Sequence, residues 1–327
     1  MSKTITFFNN KGRVGKTTMV YHLAWMLAEM GRRVVAIDID PQSTLSSMFL
    51  EDDRLAELML NEENRQTILN PIVSIAEGER CQPVHIEEVN DSIGLVVGDV
   101  ELSAFEGQLS DAWLKCLSGD PYAFRVTSVF DTIIKDVTER WEADVVVIDV
   151  GPNLGAINRA VMVSTDYIIM PVASDLFSLQ GIKNLGKTLK AWHQGWQQRV
   201  KESPKPGELQ IPNSPMHPCG YVVMQYSAQN RHPIKVSMNW ADRIPKVYRE
   251  YVLEEPATPQ LTVSNDPHCI GLLKHYHSLA PMAMEARKPI FLLKPADGAI
   301  GAHLKAVQNS YSDFETITGR ILELCHF

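Results

Sequence analysis

Three things are missing from this chain, and each absence narrows what it does. Its five cysteines (Cys81, Cys116, Cys219, Cys269, Cys325) lie far apart and form no C-x-x-C pair. An odd count without close pairs excludes a closed disulfide framework and argues against zinc or iron–sulfur ligation, so reduced thiols are expected. No apolar run approaches the ~20 residues that cross a bilayer. The opening Met-Ser-Lys-Thr-Ile-Thr-Phe-Phe-Asn-Asn-Lys carries too short an apolar stretch for a signal peptide. The expectation is a cytoplasmic protein with no membrane partner. Positive charge is in deficit, with 31 Lys+Arg against 39 Asp+Glu and a net charge of -8. Any contact with nucleic acid must therefore be assembled on a local patch.

What is present reads as a folded globule: 45% hydrophobic and 21% charged residues are ordinary values for one. Short apolar runs at Ile5 to Phe8, Val34 to Ile39, Ile93 to Val97, Val145 to Ile148, Tyr167 to Val172, Tyr221 to Met224 and Ile290 to Leu293 read as buried strands with little polar alternation. Helical spacing separates them, as in Val20, Leu23, Ala24, Leu27, and in Leu179, Ile182, Leu185, Leu189, Trp192, Trp196. The tryptophans of the second set fall on its apolar stripe, which points to core packing. Strands alternating with helices predict an α/β fold, a doubly wound, mostly parallel sheet with helices on both faces.

Two stretches break the rhythm. Residues 51–92 are charged and weakly periodic, and are expected to be a mostly helical insertion over one edge. Residues 201–218 hold Pro204, Pro206, Pro212, Pro215 and Pro218, so a surface loop is expected there and the preceding helix must stop near Val200.

The run Phe8-Asn9-Asn10-Lys11-Gly12-Arg13-Val14-Gly15-Lys16-Thr17-Thr18 follows a strand and opens a helix, the context that a phosphate-binding loop requires. In such a loop the backbone N–H groups of Gly12, Arg13, Val14 and Gly15 converge on phosphate oxygens, helped by the helix dipole. Lys16 neutralises β- and γ-phosphate charge, the Thr17 hydroxyl is a Mg2+ ligand, and Thr18 reaches the α-phosphate. A second motif ends the next strand: Ile37-Asp38-Ile39-Asp40-Pro41-Gln42. Carboxylates spaced i, i+2 at a strand's C-terminal end face the crevice where open α/β sheets bind ligands. Taken alone, Asp40-Pro41 also reads as a turn cap. A third, Val145 to Ile148 followed by Asp149-Val150-Gly151-Pro152, has the form of a Walker B strand, with Asp149 holding a Mg2+-bound water.

Asn10 replaces the first glycine of the general phosphate-loop pattern, and Lys11 precedes Gly12. Together with Asp38-x-Asp40-Pro-Gln this resembles the deviant Walker A ATPases of the ParA/MinD family, with their K-G-G-x-G-K-[ST] loop. Ile93 to Glu106 and Met170 to Gly181 are similar to further segments of that family. The resemblance implies ATP/ADP and Mg2+ as ligands and a nucleotide-sandwich homodimer in which Lys11 reaches the partner's phosphates. It also implies that Asp38 assists the Mg2+ shell, that Asp40 orients or deprotonates the attacking water, and that the Gly151 N–H approaches the γ-phosphate. Gln225 stands where relatives contact adenine. The three motifs tie the first half of the chain to one crevice and the later strands extend the same sheet, so residues 1–327 read as one elaborated domain.

At position 13 the family pattern has glycine and this chain has arginine. If the backbone there is left-handed, the side chain costs roughly 1–2 kcal/mol, and the resemblance implies that its bulk faces the partner subunit of the sandwich dimer. The resemblance implies a slow ATPase, stimulated by a ParB-like partner, that positions or segregates DNA or another cargo. Lys235, Arg243, Lys246, Arg249, Lys274 and Lys305 are the candidate DNA contacts. Two alternatives stand beside it: a nucleotide-binding regulator or scaffold with little hydrolysis, for which Arg13 argues, and an ATP-dependent ligase or amidotransferase on the same scaffold. The last helix, with Phe314, Ile317, Ile321 and Leu324 and only Arg320 as a nearby cation, is expected to pack on the body and not on a membrane.

Overall fold

Strand β1 (Lys3–Phe7) leads into helix α1 (Lys16–Glu29); β2 (Val34–Asp38) leads into α2 (Thr44–Phe49), α3 (Asp52–Leu60) and α4 (Leu69–Ala76). After β3 (Glu87–Asn90) and β4 (Ile93–Val96) come α5 (Glu106–Lys115), α6 (Pro121–Thr127) and α7 (Val129–Trp141), then β5 (Val145–Asp149) and α8 (Ala156–Met162). β6 (Tyr167–Ala173), the long α9 (Leu176–Lys201), β7 (His217–Tyr226) and β8 (Cys269–Lys274) complete the sheet, and the helix Ala302–Leu324 closes the chain. This computed structural model describes residues 2–61, 65–204, 209, 211–226, 240–256, 258, 260–276 and 278–327.

The eight strands lie in the order β3-β4-β2-β5-β1-β6-β7-β8. All pairings are parallel except β3 on β4. Successive side chains of a strand point to opposite faces, and both faces are covered. In β2, Val35 and Ile37 join a core with Ile133 and Val137 of α7 and Leu185 of α9. Val34 and Ala36 join a second core with Val20, Leu23 and Leu27 of α1. Burial on both sides is why these strands are continuously apolar.

The apolar stripe of α9 is buried along its length. Trp196 stacks on Trp113 with centroids 5.9 Å apart and donates its Nε1–H to the Pro212 carbonyl at 3.0 Å, so these rings are core and not a ligand platform. Phe314, Ile317 and Ile321 of the last helix are buried against the second core. Among the described residues no helix is long and apolar enough to cross a membrane.

Two sequence expectations are corrected. Ile290 to Leu293 is not a strand but a short 3-10 turn, Ile290–Leu292. A buried apolar run of four residues fixes burial and not conformation, and prolines at 289 and 295 bracket this one. The eighth strand is Cys269–Lys274, whose partly exposed edge position gives a broken apolar pattern. Pro218 does not belong to the preceding loop: it lies in β7, at its second residue and next to a register shift on β6, a place where a missing N–H is tolerated. The stretch 51–92 holds α3 and α4 and ends in β3, an antiparallel edge strand whose residues show no polar–apolar alternation.

Candidate functional site

The parallel register sets the site. Asp38, the last residue of β2, pairs with Asp149, the last of β5, and Asp149 in turn pairs with Phe7 of β1. The loop from β1 to α1 therefore opens beside both carboxylates, at the C-terminal edge of the central strands. Its conformation is specified residue by residue. Asn9 is buried, donating its Nδ2–H to the Pro171 carbonyl at 2.7 Å and accepting the Lys11 N–H at 2.9 Å. Arg13 is left-handed with φ 57° and exposed, and Gly15 is left-handed with φ 91°. A Cβ on Gly15 would stand 2.6 Å from Met224 Cε, whereas one on Gly12 would meet nothing within 4 Å. Glycine is thus favoured at 15 by its backbone, while the Met224 methyl, at the end of a flexible side chain, closes over it. Val14 is buried and anchors the turn.

Lys16 opens α1 almost fully buried. Burial lowers its pKa, and the charges of Asp149 and Asp40 work against that shift. Asp38 is held from three sides: its Oδ2 accepts the Ser46 N–H at 2.8 Å and the Ser46 hydroxyl at 2.7 Å, and its Oδ1 accepts the Asp40 N–H at 3.3 Å. Gly98 donates its N–H to the same Ser46 hydroxyl at 2.9 Å, and a side chain at 98 would press on Asp38. Asp149 is fully buried, and neither of its carboxylate oxygens has a well-formed hydrogen bond. Burial first and the neighbouring Asp38 second push its pKa up; Thr17 and Lys16 offset part of this. Burial, and to a lesser degree Asp40, raises Asp38 as well.

Two buried acids side by side, one without a well-formed hydrogen bond, are costly unless a cation joins them. Hard oxygens from Asp149, Asp38 and the Thr17 hydroxyl suit Mg2+, which keeps waters and takes phosphate oxygens in preference to a full protein cage. Asp40 is half-exposed, accepts the Gln42 N–H at 3.0 Å and faces Gly151, where a Cβ would lie 3.4 Å from its Oδ1.

The structure thus brings Gly12 to Thr17, Asp38, Asp40, Asp149 and Gly151 to one crevice. Thr17 and Thr18 also line a neighbouring cavity of about 220 Å³, together with Tyr21, His22, Met48 and Lys288. Gln225 is in β7, with its side chain outside the described residues. Lys11 points away from the crevice to Asp175, the residue that caps α9. Of the candidate DNA contacts, Arg249 is ion-paired to Glu255 and Asp266, Lys274 is paired to Asp313, and Lys235 lies outside the described residues. Arg243, Lys246 and Lys305 are exposed.

Sequence reasoning missed three residues of the site: Ser46, Met224 and Asp175. A serine eight residues beyond Asp38 carries no local signal. Asp175 does carry one, a polar cap before an apolar helical run.

A model of the AAA domain family matches residues 2–201. The chain belongs to that family, among the ParA/MinD-type P-loop ATPases. It is 29% identical over 231 residues to an uncharacterised protein of Methanocaldococcus jannaschii, covering 71% of this chain and 76% of that one. It is 27% identical to the chromosome-partitioning ATPase Soj of Treponema pallidum over 60% of this chain and 66% of Soj. Among solved structures, protein DIP2308 of Corynebacterium diphtheriae superposes with a TM-score of 0.69 at 20% identity, covering 99% of this chain and 98% of that one. The ATP complex of a McdA variant from Cyanothece gives 0.64 at 15% identity, covering 100% and 97%. Both structural likenesses carry the mostly parallel sheet of this ParA-type fold.

Proposed function

We propose that this ParA-like chain is a slow Mg2+-dependent ATPase that alternates between a monomer and an ATP-sandwich homodimer and so positions or segregates DNA or another cargo. The observation that carries this reading is Asp149, buried without a well-formed hydrogen bond beside Asp38, Thr17 and Lys16 at the mouth of the phosphate loop. Bound Mg2+ would neutralise charge on the β- and γ-phosphates; Thr17, Asp38 and Asp149 are the residues that would hold it, the acids in part through its waters. The chain's own groups supply the rest. Backbone N–H groups from Gly12 to Lys16 cradle the phosphates, and the Lys16 cation sits against them. Asp40 is exposed enough to meet a water and orients it, or takes its proton, opposite the Gly151 N–H.

In this reading Lys11 leaves Asp175 and neutralises phosphate charge across the dimer, in the manner of an arginine finger. The T. pallidum relative, a chromosome-partitioning ATPase, supports ATP as the nucleotide and partition-type positioning as the role; the reading adds a ParB-like activator and places the chain in the cytoplasm, and on the nucleoid when ATP-bound. A second reading, a hydrolysis-poor regulator, is favoured by one observation: Arg13 occupies a left-handed position in the loop itself. Phosphate release from Mg2+-ATP by the full chain, with and without DNA, separates the two. Release that disappears on chelation and in Asp40→Ala supports the ATPase. Nucleotide binding with no release under any of these conditions supports the regulator.

A further inference from the structure

We propose that the exposed stripe of α9 is a docking surface for the phosphate backbone of double-stranded DNA; the choice of DNA rests on the partition reading above, while the surface itself rests on the following observations. α9 runs for 26 residues without one Asp or Glu, in a chain of net charge -8. Of its five cations, Arg199 is spent inside the fold: it is buried, donates its Nε–H to the Trp113 carbonyl at 2.6 Å and lies 4.0 Å over the Trp113 ring. The lysines are placed otherwise. At 3.6 residues per turn, Lys183, Lys187, Lys190, Gln194, Gln197 and Lys201 fall within an arc of roughly 80°, on the side away from most of the buried stripe, over a length of about 27 Å.

Lys183 and Lys187 stand over the ring of Tyr251, at 4.7 and 6.0 Å, and neither is paired with an acid among the described residues. Lys190 is ion-paired to Glu254, the acid that borders the stripe. The rest of the row is two amides, Gln194 and Gln197, and the exposed Lys201. Lysine, glutamine and tyrosine side chains are those that bind phosphate and sugar without reading sequence. Between residues 183 and 201 the row itself holds no large apolar side chain, the anchor that a protein partner's interface requires; the exposed Leu176 and Phe177 lie in the first turn of α9, before the row begins. A straight acid-free row of donors therefore fits a regular polyanion better than an acidic peptide. It also repairs the weakness of the sequence-derived candidates, of which Arg249 and Lys274 are already neutralised within the fold.

The test is fluorescence anisotropy of a labelled mixed-sequence duplex with the full chain, with and without Mg2+-ATP, over a series of salt concentrations. The double substitution Lys183→Glu, Lys187→Glu is expected to weaken binding at least about ten-fold. Lys183→Gln, Lys187→Gln is expected to flatten the log K against log salt slope by roughly 2, as two phosphate contacts are lost. Lys294→Glu, exposed on another segment of the chain, leaves both unchanged. Unaltered affinity and slope in both double variants overturn the proposal, as does a wild type that binds polyglutamate and not duplex. Nucleotide binding is read separately with a fluorescent ATP analogue. A wild type that holds nucleotide and ignores duplex overturns the stripe alone. One that binds duplex through Lys183 and Lys187 and holds no nucleotide overturns the ATPase reading alone.

Discussion

Lys11 Nζ lies 2.5 Å from Asp175 Oδ2, so the lysine that distinguishes this phosphate loop is bound to the cap of α9 within its own chain. The same carboxylate caps the helix through its Oδ1, which accepts the Ser178 N–H at 2.8 Å. Burial disfavours the charge on Asp175, yet Lys11 and Ser178 hold its pKa below the ordinary value. One ion pair thus joins the loop to the N-terminus of a long helix, and any use of Lys11 on another subunit has to break it.

Asp175→Asn is expected to raise the fraction of ATP-dependent dimer. Both partners are over a third exposed, so solvent screening limits the pair to about 1 kcal/mol or less, equivalent to a shift of up to about five-fold. Analytical ultracentrifugation across protein concentrations measures it. An unchanged or weakened dimer contradicts the assignment of this pair as a restraint on Lys11.

Gly15→Ala is expected to abolish nucleotide binding. The left-handed backbone alone costs an alanine roughly 1–2 kcal/mol, and the added methyl displaces Met224. Titration with a fluorescent ATP analogue is the check. Gly12→Ala, which meets no neighbour within 4 Å in the single chain, is expected to bind nucleotide and to lose activity only where a second subunit is needed.

Arg13→Gly is expected to leave thermal stability within about 1 kcal/mol of wild type, because relief of the left-handed cost is offset by the greater freedom of glycine in the unfolded chain. Its phosphate release and ATP-dependent dimerisation are expected to rise. Rates and dimer mass identical to wild type remove Arg13 as an obstruction.

His22 supplies a pH dependence. Its Nδ1–H donates to the Thr18 carbonyl at 2.8 Å, its Nε2 accepts the Ile290 N–H at 3.2 Å, and its ring stacks on Phe314. Burial lowers its pKa from 6.5 to about 4. Between these values the unfolded chain takes up a proton that the folded chain refuses. Stability is therefore full above pH 6.5 and falls as the pH drops toward 4, by up to about 3 kcal/mol. Urea unfolding at neutral and acid pH is expected to show a shallower acid loss in His22→Asn than in wild type. Parallel losses contradict the neutral buried histidine.

Much of the site was legible because its chemistry lies in three short motifs at strand ends, where register alone brings Lys16, Asp38 and Asp149 together. What was hidden depends on contacts between distant segments. Ser46 reaches Asp38 from α2, Met224 reaches Gly15 from β7, and Asp175 reaches Lys11 across 164 residues. The two strand errors have one physical source. Ile290 to Leu293 is apolar because it is buried, and Cys269–Lys274 is irregular because it lies at an edge, so periodicity misjudged both. The lysine row of α9 matches no motif, and its one sequence signal is an absence, that of acid from residues 176–201.

The most direct test of the account is the mass of the full chain by multi-angle light scattering with ADP and with Mg2+-ATP, beside Lys11→Ala and Asp40→Ala. Wild type with ADP is expected at the 36.7 kDa of one chain, and with Mg2+-ATP at twice that mass. Asp40→Ala is expected to accumulate the dimer and Lys11→Ala to remain single. A wild type that stays single with Mg2+-ATP, or a dimer indifferent to both substitutions, would contradict the proposed switch.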